Sequence, residues 1–257
     1  MPVKTELGLA GTVVLVTGGV RGVGRGIAGV FLAHGARVVV CARREAPTEA
    51  EFAACDVRDE PQVAALVEGI VERHGRLDVV VNNAGGAPYG PAAEVSPRLH
   101  EKIVQLNLLA PLLVAQHANA VMQRQDTGGS IVMISSVSGT RPSPGTAAYG
   151  AAKAGLDNLT ASLAVEWAPK VRVNALDVGM VRTEQAHLHY GSEAAVEAVG
   201  KTVPLGRLAE PAEIGHCAAF LASGLASYVS GATLRVHGGG EVPAFLAAAD
   251  VNHREDA

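Results

Sequence analysis

The sequence predicts a single α/β domain built on a parallel β-sheet. Short apolar runs alternate with longer segments of helical periodicity through most of the 257 residues, and that alternation is typical of βαβ units. The apolar runs are continuous rather than broken by polar residues, which indicates strands buried on both faces, as parallel sheets require. A glycine-rich turn follows the first apolar run and opens the first helical segment.

The first part of the chain supplies three predicted strands and two helices. The apolar runs at residues 13–16 and 37–41 are strands, and residues 24–34 between them have helical periodicity. Residues 52–55 form a short third strand. The second helix, residues 61–74, begins with a proline, which is favoured there because its missing N–H would be unpaired in the first helical turn.

The middle of the chain continues the same alternation. Residues 78–81 are the fourth strand, and a long helix follows at residues 97–122. Residues 130–134 are the fifth strand, residues 149–167 the next helix, and residues 171–175 the sixth strand. Each predicted strand has four or five residues and is rich in apolar side chains, as expected of a buried strand.

The C-terminal part contains a variable segment, residues 182–208, then a helix at residues 211–221 and a seventh strand at residues 232–236. No linker, low-complexity stretch or internal repeat divides the sequence. We therefore expect one domain over residues 1–257, with a core at about 9–240 and a C-terminal tail at 241–257. The polar end of this tail, residues 247–257, is expected to be mobile.

Composition and charge exclude several classes of protein. The net charge of −4 argues against nucleic acid or an acidic membrane surface as a partner. Cys41, Cys55 and Cys217 have no disulfide or metal-ligand spacing, which fits a reducing compartment. Residues 1–9 are charged without an apolar core, so we expect no signal peptide, and no apolar run approaches the ~18 residues of a membrane span. We expect a soluble cytoplasmic protein.

The glycine-rich turn has the sequence TGGVRGVG at residues 17–24. Its glycines allow a tight turn and let backbone N–H groups approach a pyrophosphate at a helix N-terminus. Glycines mark many turns, but the position between a buried strand and a helix favours a dinucleotide site. The spacing is Gly-x-x-x-Gly-x-Gly, whereas the commoner fingerprint is Gly-x-Gly-x-x-Gly.

Tyr149 and Lys153 lie four residues apart in a predicted helix, so their side chains point the same way. A phenol titrates near pH ~10. A nearby ammonium group favours the phenolate, and we expect Lys153 to lower the pKa of Tyr149 into a range useful for proton transfer. Such a pair taken alone is also typical of a packed tyrosine beside a solvated lysine.

Together these features resemble the short-chain dehydrogenase/reductase family, in its single-domain branch. The resemblance rests on the glycine turn, the NNAG run at residues 82–85, Asn107, Ser136, and the Tyr149–Lys153 pair, in the same order along the chain. It extends over about residues 9–240. It implies a single Rossmann-type, doubly wound, seven-stranded parallel sheet with helices on both faces, binding NAD or NADP across the carboxyl ends of the strands.

The resemblance also implies where the cofactor binds. The turn glycines meet the phosphates, and residues 83–85 lie beneath the adenine ribose and brace the central strands. Asp56 meets the adenine amine, although an aspartate at this place is also typical of a helix cap near Pro61. The implied cofactor-binding residues are Gly18, Arg21, Gly22, Val23, Gly24, Arg43, Asp56, Val57, Asn83, Ala84, Gly85, Tyr149, Lys153, Val181 and Thr183.

The end of the second strand distinguishes NADP from NAD. An acidic residue there would accept hydrogen bonds from the ribose 2′-OH and repel a 2′-phosphate. Here Ala42 is followed by Arg43 and Arg44, whose guanidinium groups suit a phosphate. We predict NADP, with NAD as the alternative, because paired arginines are often solvated loop charges. Only twelve residues separate Arg43 from Asp56, too few for the helix that relatives place there, so residues 45–50 are predicted as a loop and the adenine end is expected to be more open.

The implied catalytic residues are Asn107, Ser136, Tyr149 and Lys153. Tyr149 exchanges a proton with a ketone or secondary alcohol while a hydride moves to or from nicotinamide. Lys153 holds the nicotinamide ribose, and Ser136 donates to the substrate oxygen. Asn107 bends its helix and anchors a water that links Lys153 to solvent, although an asparagine bonded to a neighbouring backbone group is the alternative interpretation.

The substrate region is less determined. Relatives carry proline where Val178 stands, so the following loop is predicted to be less rigid. Residues 184–205 are expected to fold over a small carbonyl or alcohol substrate. His187 and His189 in this segment have no third ligand nearby, so we expect no metal. Arg141 is either a surface charge or a contact to an anionic substrate.

Two expectations concern the protein as a whole. A non-catalytic sensor that only binds the dinucleotide is the alternative function, and it does not require Ser136, Tyr149 and Lys153 together. The family often forms tetramers, and small residues along the helix at 149–167 suit close packing, so we expect a homotetramer.

Overall fold

The structure, a computed structural model, describes residues 6–248. Its centre is a seven-stranded sheet in the order β3-β2-β1-β4-β5-β6-β7, and every neighbouring pair is parallel. The strands are β1 (Val13–Thr17), β2 (Arg37–Ala42), β3 (Glu51–Ala54), β4 (Val79–Asn82), β5 (Gly129–Ser136), β6 (Val171–Val178) and β7 (Thr233–Val236). The predicted fold class is therefore confirmed.

Helices cover both faces of the sheet. They are α1 (Gly22–Ala33), α2 (Glu60–His74), α3 (Pro97–Val104), α4 (Ala110–Met122), α5 (Ala147–Glu166), α6 (Ala186–Tyr190), α7 (Glu193–Gly200), α8 (Pro211–Ala222) and α9 (Ala244–Ala248). Apolar side chains of α2, α4 and α5 form one core with the sheet, and those of α1 and α8 form the other. The order in which strands are added to the sheet reverses between β1 and β4, and ligands of such sheets bind at the carboxyl ends beside that point.

Strands β5 and β6 are longer than predicted. Beyond the apolar runs, Ser135 pairs with Asp177 and Ser136 pairs with Val178. Apolar pattern alone ends each strand too early, because these polar residues continue the backbone ladder with the neighbouring strand. The extension reaches Val178, where the resemblance implied a proline, a residue that would remove a backbone donor there.

The long helix predicted at residues 97–122 is interrupted. Helices α3 and α4 are separated by a π-helical turn at Gln105–Leu109. The buried Asn107 lies in this turn, and its Nδ2 donates to the Ile103 carbonyl at 2.9 Å. Pro111 follows and has no N–H for the helical ladder. The helix is thus irregular at Asn107 in the form of a π-turn, and the predicted bend stays a prediction.

Other local predictions have mixed outcomes. Residues 43–50 contain no helix or strand, as expected for the shortened connection. The interpretation of Asp56 as the cap of the second helix is wrong, because Asp59 is the N-cap and accepts from the Gln62 N–H. The segment predicted as variable contains the short helices α6 and α7.

The C-terminal tail begins with structure. Residues 244–248 form α9, so the tail is not uniformly irregular. The rest of the tail predicted to be mobile, residues 249–257, lies outside the described residues, as does the start of the N-terminal segment, residues 1–5. Within residues 6–248, no helix combines the length and apolarity needed to cross a membrane.

Candidate active site

The glycine turn joins β1 to α1 with no room for side chains. Gly18 has a φ of +65°, a left-handed conformation that favours glycine. A Cβ at Gly24 would collide with the Asn83 side chain and the Gly18 carbonyl. This close approach leaves the N-terminus of α1 open towards the cleft, where backbone N–H groups favour an anion.

A hydrogen-bond network fixes the turn against the end of β4. The Thr17 hydroxyl accepts from the backbone N–H groups of Asn83 at 3.0 Å and Ala84 at 2.9 Å. The Asn83 Nδ2 donates back to the Thr17 carbonyl at 2.9 Å. The predicted bracing role of Asn83 is confirmed, and Thr17, whose role the sequence did not indicate, completes the brace.

A cleft of about 860 Å³ runs along the carboxyl ends of the strands. All the predicted cofactor-binding residues line it, from the glycine turn to Val181 and Thr183, and so do Ser136, Tyr149 and Lys153. The long cleft, the glycine cradle and the exposed amide groups at one helix end fit a dinucleotide. Asn107 is the exception among the predicted site residues. It is fully buried and is not one of the described residues that line the cleft.

Lys153 is buried beneath the end of β5. Its Nζ donates to the Ile134 carbonyl at 2.8 Å and lies 5.5 Å from the centre of the Tyr149 ring. Burial lowers the pKa of Lys153 to about 8, and the nearby charge of Asp157 acts against this shift. Lys153 therefore loses its proton much closer to neutral pH than an ordinary lysine does.

The expectation that Lys153 lowers the pKa of Tyr149 is wrong for the protein chain alone. Burial raises the pKa of Tyr149, and the hydrogen bond with Ser136 offsets only part of that rise. The physical reason is that the phenolate loses its solvation in the cleft wall. Ser136 and Tyr149 are nevertheless in contact, as a shared substrate oxygen would require.

Asn107 ties the π-turn to the loop after β4. Its Oδ1 accepts from the Gly86 N–H at 2.8 Å, and its Nδ2 donates to the Gly86 carbonyl at 2.9 Å. With the Ile103 bond, all three contacts of the Asn107 amide are to backbone groups, the bonding pattern of the alternative interpretation. The implied link through a water to Lys153 stays a prediction.

The adenine end of the cleft contains a cation that sequence reasoning missed. Arg58 donates from Nε to the Asp56 Oδ1 at 2.9 Å and from Nη2 to the Asp56 Oδ2 at 2.6 Å. This ion pair is the main cause that lowers the pKa of Asp56, and Arg43 contributes to the same shift. Arg43, Arg44 and Arg58 all line this end of the cleft. The sequence does contain a clue to this contact, because Arg58 lies only two residues after Asp56.

The loop after β6 returns to the glycine turn. Val181 forms a backbone bridge with Ala209, and a Cβ at Gly22 would lie 3.5 Å from the Thr183 methyl group. Glu184, which sequence reasoning also missed, accepts from the Gly22 N–H at 3.0 and 3.2 Å through its two carboxylate oxygens. A carboxylate thus lies at the amide group that the resemblance assigns to a phosphate.

The opposite end of the cleft is lined by Met180, Gln185, His189 and Tyr190. His187 is exposed and is not among the described residues that line the cleft. Arg141 forms a 2.6 Å ion pair with Glu241 at the surface, and both charges affect the pKa of Tyr190, which burial raises. Among residues 6–248, no three potential metal ligands come together.

Comparisons with known proteins agree with this geometry. A family model described as enoyl-(acyl carrier protein) reductase matches residues 18–241. The chain is 36% identical to the oxidoreductase UcpA of Escherichia coli K12, over 91% of this chain and 96% of the relative. It is 38% identical to an L-fucose dehydrogenase of Oryctolagus cuniculus, over 91% and 86% of the two chains. The chain belongs to the short-chain dehydrogenase/reductase family.

A solved member of this family has the same fold. The ligand-free aldohexose dehydrogenase AldT of Thermoplasma acidophilum superposes with a TM-score of 0.87 at 32% identity, covering 91% of this chain and 95% of AldT. This short-chain dehydrogenase/reductase is therefore an oxidoreductase, and its family implies a nicotinamide dinucleotide as cofactor. The length of the cleft and the glycine turn at the N-terminus of α1 fit such a dinucleotide.

Glu184 gives a direct prediction for dinucleotide binding. Its carboxylate lies on the Gly22 N–H, so it repels a bound pyrophosphate and competes for one donor. We expect Glu184→Gln to lower the Kd for the dinucleotide about fivefold. Glu197→Gln, which removes an exposed carboxylate from α7, is the matched control and leaves the Kd unchanged. Fluorescence titration measures both, and a weaker complex in Glu184→Gln would show that the carboxylate assists binding.

Proposed function

We propose that this chain is an NADP-preferring dehydrogenase/reductase that moves a hydride between nicotinamide and a ketone or secondary alcohol. The observation that carries the proposal is the convergence of Ser136, Tyr149 and Lys153 on one wall of the dinucleotide cleft. Tyr149 acts as the general acid in reduction and the general base in oxidation.

The side chains divide the remaining tasks. The cofactor, when bound, supplies or accepts the hydride. The Ser136 hydroxyl donates to the substrate oxygen and stabilises negative charge that develops there. Lys153, held by the Ile134 carbonyl, presents its ammonium group towards the Tyr149 ring. That cation stabilises the phenolate each time Tyr149 gives up its proton.

A sensor that binds the dinucleotide without turnover is the less favoured alternative. Such a protein needs the glycine turn and the cleft, but it has no use for a buried ammonium group beside a tyrosine. Burying Lys153 is unfavourable, since its pKa is displaced to about 8. An unfavourable buried charge at a cleft is the usual mark of a catalytic site.

Tyr149→Phe tests the proposed chemistry. Phenylalanine keeps the ring against Lys153 but has no proton to transfer, so we expect turnover to fall by at least 100-fold. The dinucleotide Kd stays within about threefold, because cofactor contacts are largely elsewhere. Tyr228→Phe, an exposed tyrosine outside the cleft, is the matched control.

The measurement is NADPH absorbance with a panel of ketones, secondary alcohols and aldoses. Aldoses belong in the panel because two similar proteins are named for L-fucose and aldohexose oxidation. If Tyr149→Phe retains the wild-type rate on an active substrate, Tyr149 is not the acid or base.

The preference for NADP is proposed from the end of β2. Ala42 offers no carboxylate to the ribose, and Arg43 and Arg44 are exposed at the rim of the cleft. Arg58 lies nearby but is held by Asp56. Guanidinium groups at this place favour a 2′-phosphate.

Arg43→Ala should separate the two cofactors. We expect its Kd for NADPH to rise about tenfold, equivalent to ~1.4 kcal/mol, while the Kd for NADH stays within twofold. Arg37→Ala, at the opposite end of the same strand, controls for the loss of one positive charge. Isothermal titration calorimetry measures the affinities of the wild type and both variants for the two cofactors, and a wild-type protein that binds NADH more tightly than NADPH would contradict the proposal.

We also propose a cytoplasmic homotetramer. Large apolar side chains are exposed on α5, on α8 and around β7, and such surfaces are typical of interfaces. They are Val165, Phe220, Leu225 and Leu234. The three cysteines are free thiols, which suits a reducing compartment.

A further inference from the structure

Asp157 and Asp177, near the active-site lysine, have three buried carboxylate oxygens without a close hydrogen-bond partner among the described residues. Asp177 in β6 is completely buried, and neither of its carboxylate oxygens has a partner among the described residues. The Oδ1 of Asp157 in α5 is also buried and unpartnered in this part of the chain. Buried carboxylates are normally paired with a cation or hydrogen-bonded, so two together call for an explanation.

Strand register and helix spacing bring these groups together. Ser135 of β5 is the register partner of Asp177, so the two side chains project from the same face of the sheet. Helix α5 packs over that face through Leu156 and Leu163. The Ser135 hydroxyl donates to the Lys153 carbonyl at 3.3 Å. Asp157, four residues after Lys153, lies on the same side of α5.

The charges around the cluster come from three elements. Lys153 and Asp157 belong to α5. Across the sheet, the Arg235 Nε lies 4.0 Å from the Asp177 Oδ2, but the Arg235 side chain is 62% exposed. His237, just after β7, also lowers the pKa of Asp177 when it is charged. Lys153 is thus the buried cation of the group, and Arg235 and His237 face it from the sheet edge.

The two carboxyl groups affect each other's ionisation in opposite directions: Asp177 raises the pKa of Asp157, and the hydrogen bond with Asp157 lowers the pKa of Asp177. Burial raises the pKa of Asp157 to about 6, and Asp177 adds to that rise. Burial also raises the pKa of Asp177, although Ser135, Asp157 and the nearby cations reduce the effect. Adjacent buried carboxyls share protons because two full negative charges cannot be accommodated cheaply in low dielectric.

We propose that Asp157 and Asp177 form a proton-sharing carboxyl pair whose negative charge keeps the buried Lys153 in its ammonium form. They are positioning residues, since they touch neither the cleft nor the Tyr149 hydroxyl. The catalytic consequence rests on the proposed function of Lys153. Without the pair, burial alone decides the charge of Lys153, and the cation beside Tyr149 is lost at lower pH.

The pair has a cost in stability, and its sign can be worked out. Both carboxyl pKa values are raised in the folded chain, so the folded state holds their protons more tightly than the unfolded state does. The stability gained in this way is present below the ordinary aspartate pKa of about 4 and is lost as pH rises through about 6. A chain that keeps an unfavourable pair at neutral pH is expected to use it.

The first test measures the Lys153 ammonium group directly. In protein labelled at lysine with ¹³C, NMR titration of the side-chain carbon next to the amine gives the Lys153 pKa without any turnover. We expect a midpoint near pH 8 in the wild type and a fall of roughly one unit in Asp157→Asn. Glu166→Gln removes a charge from the far end of the same helix and leaves the midpoint unchanged.

The second test measures the carboxyl groups. In wild-type protein labelled at the aspartate Cγ, we expect two carboxyls to titrate above the range of the others, one near pH 6. Asp177→Asn relieves Asp157 of its neighbour, so the Asp157 midpoint falls by about one unit. The same variant gains thermal stability relative to wild type at pH 8, and the gain shrinks at pH 5.

Each outcome of these tests either supports the carboxyl pair or overturns it. An unchanged Lys153 midpoint in folded Asp157→Asn overturns the proposal, and so does a wild-type protein in which every aspartate titrates below about pH 5. If Asp157→Asn does not fold, the wild-type carboxyl titration and Asp177→Asn still decide. All these titrations are made on the protein without substrate or cofactor. They would therefore give the same results even if the proposed catalytic function were wrong.

Discussion

The buried bond between the Lys153 ammonium group and the Ile134 carbonyl fixes the geometry of this site. It docks the first turns of α5 on the carboxyl end of β5, at 2.8 Å and away from water. Tyr149 lies one turn earlier on the same helix, so it follows wherever Lys153 is held. A buried charge is tolerated only with partners, which explains why the strand end, Ser135 and the carboxyl pair all surround this one side chain.

The sheet topology supplies the other half of the site. The strand order reverses between β1 and β4, and the cleft opens at that point. Thr17 and Asn83 tie the two strand ends together, which holds the glycine turn at a fixed distance from Lys153. The N-terminus of α1 and the proposed proton-transfer group are thus parts of one frame, and the cleft between them fits a dinucleotide.

Sequence reasoning found the elements that local pattern determines. Continuous apolar runs located every strand, and the glycine turn and the Tyr149–Lys153 spacing located the site. Three features depend on packing between distant segments and could not be predicted from local sequence pattern. They are the π-turn at Asn107, the long ends of β5 and β6, and the contact of Glu184 with Gly22. Burial explains the error on Tyr149, because spacing shows a nearby cation but not the loss of solvation that outweighs it. The pairing of Asp157 with Asp177 likewise appears only when β6 and α5 are folded together.

The central claim is that this frame can turn a buried phenol into a proton donor and acceptor near neutral pH. Tyrosine labelled with ¹³C at Cζ reports ionisation directly, and the chain has only four tyrosines to assign. In the presence of saturating NADP, the Tyr149 signal should titrate at least one unit below the ordinary tyrosine pKa of about 10. A Tyr149 that still titrates at or above that value with the dinucleotide bound would contradict the account.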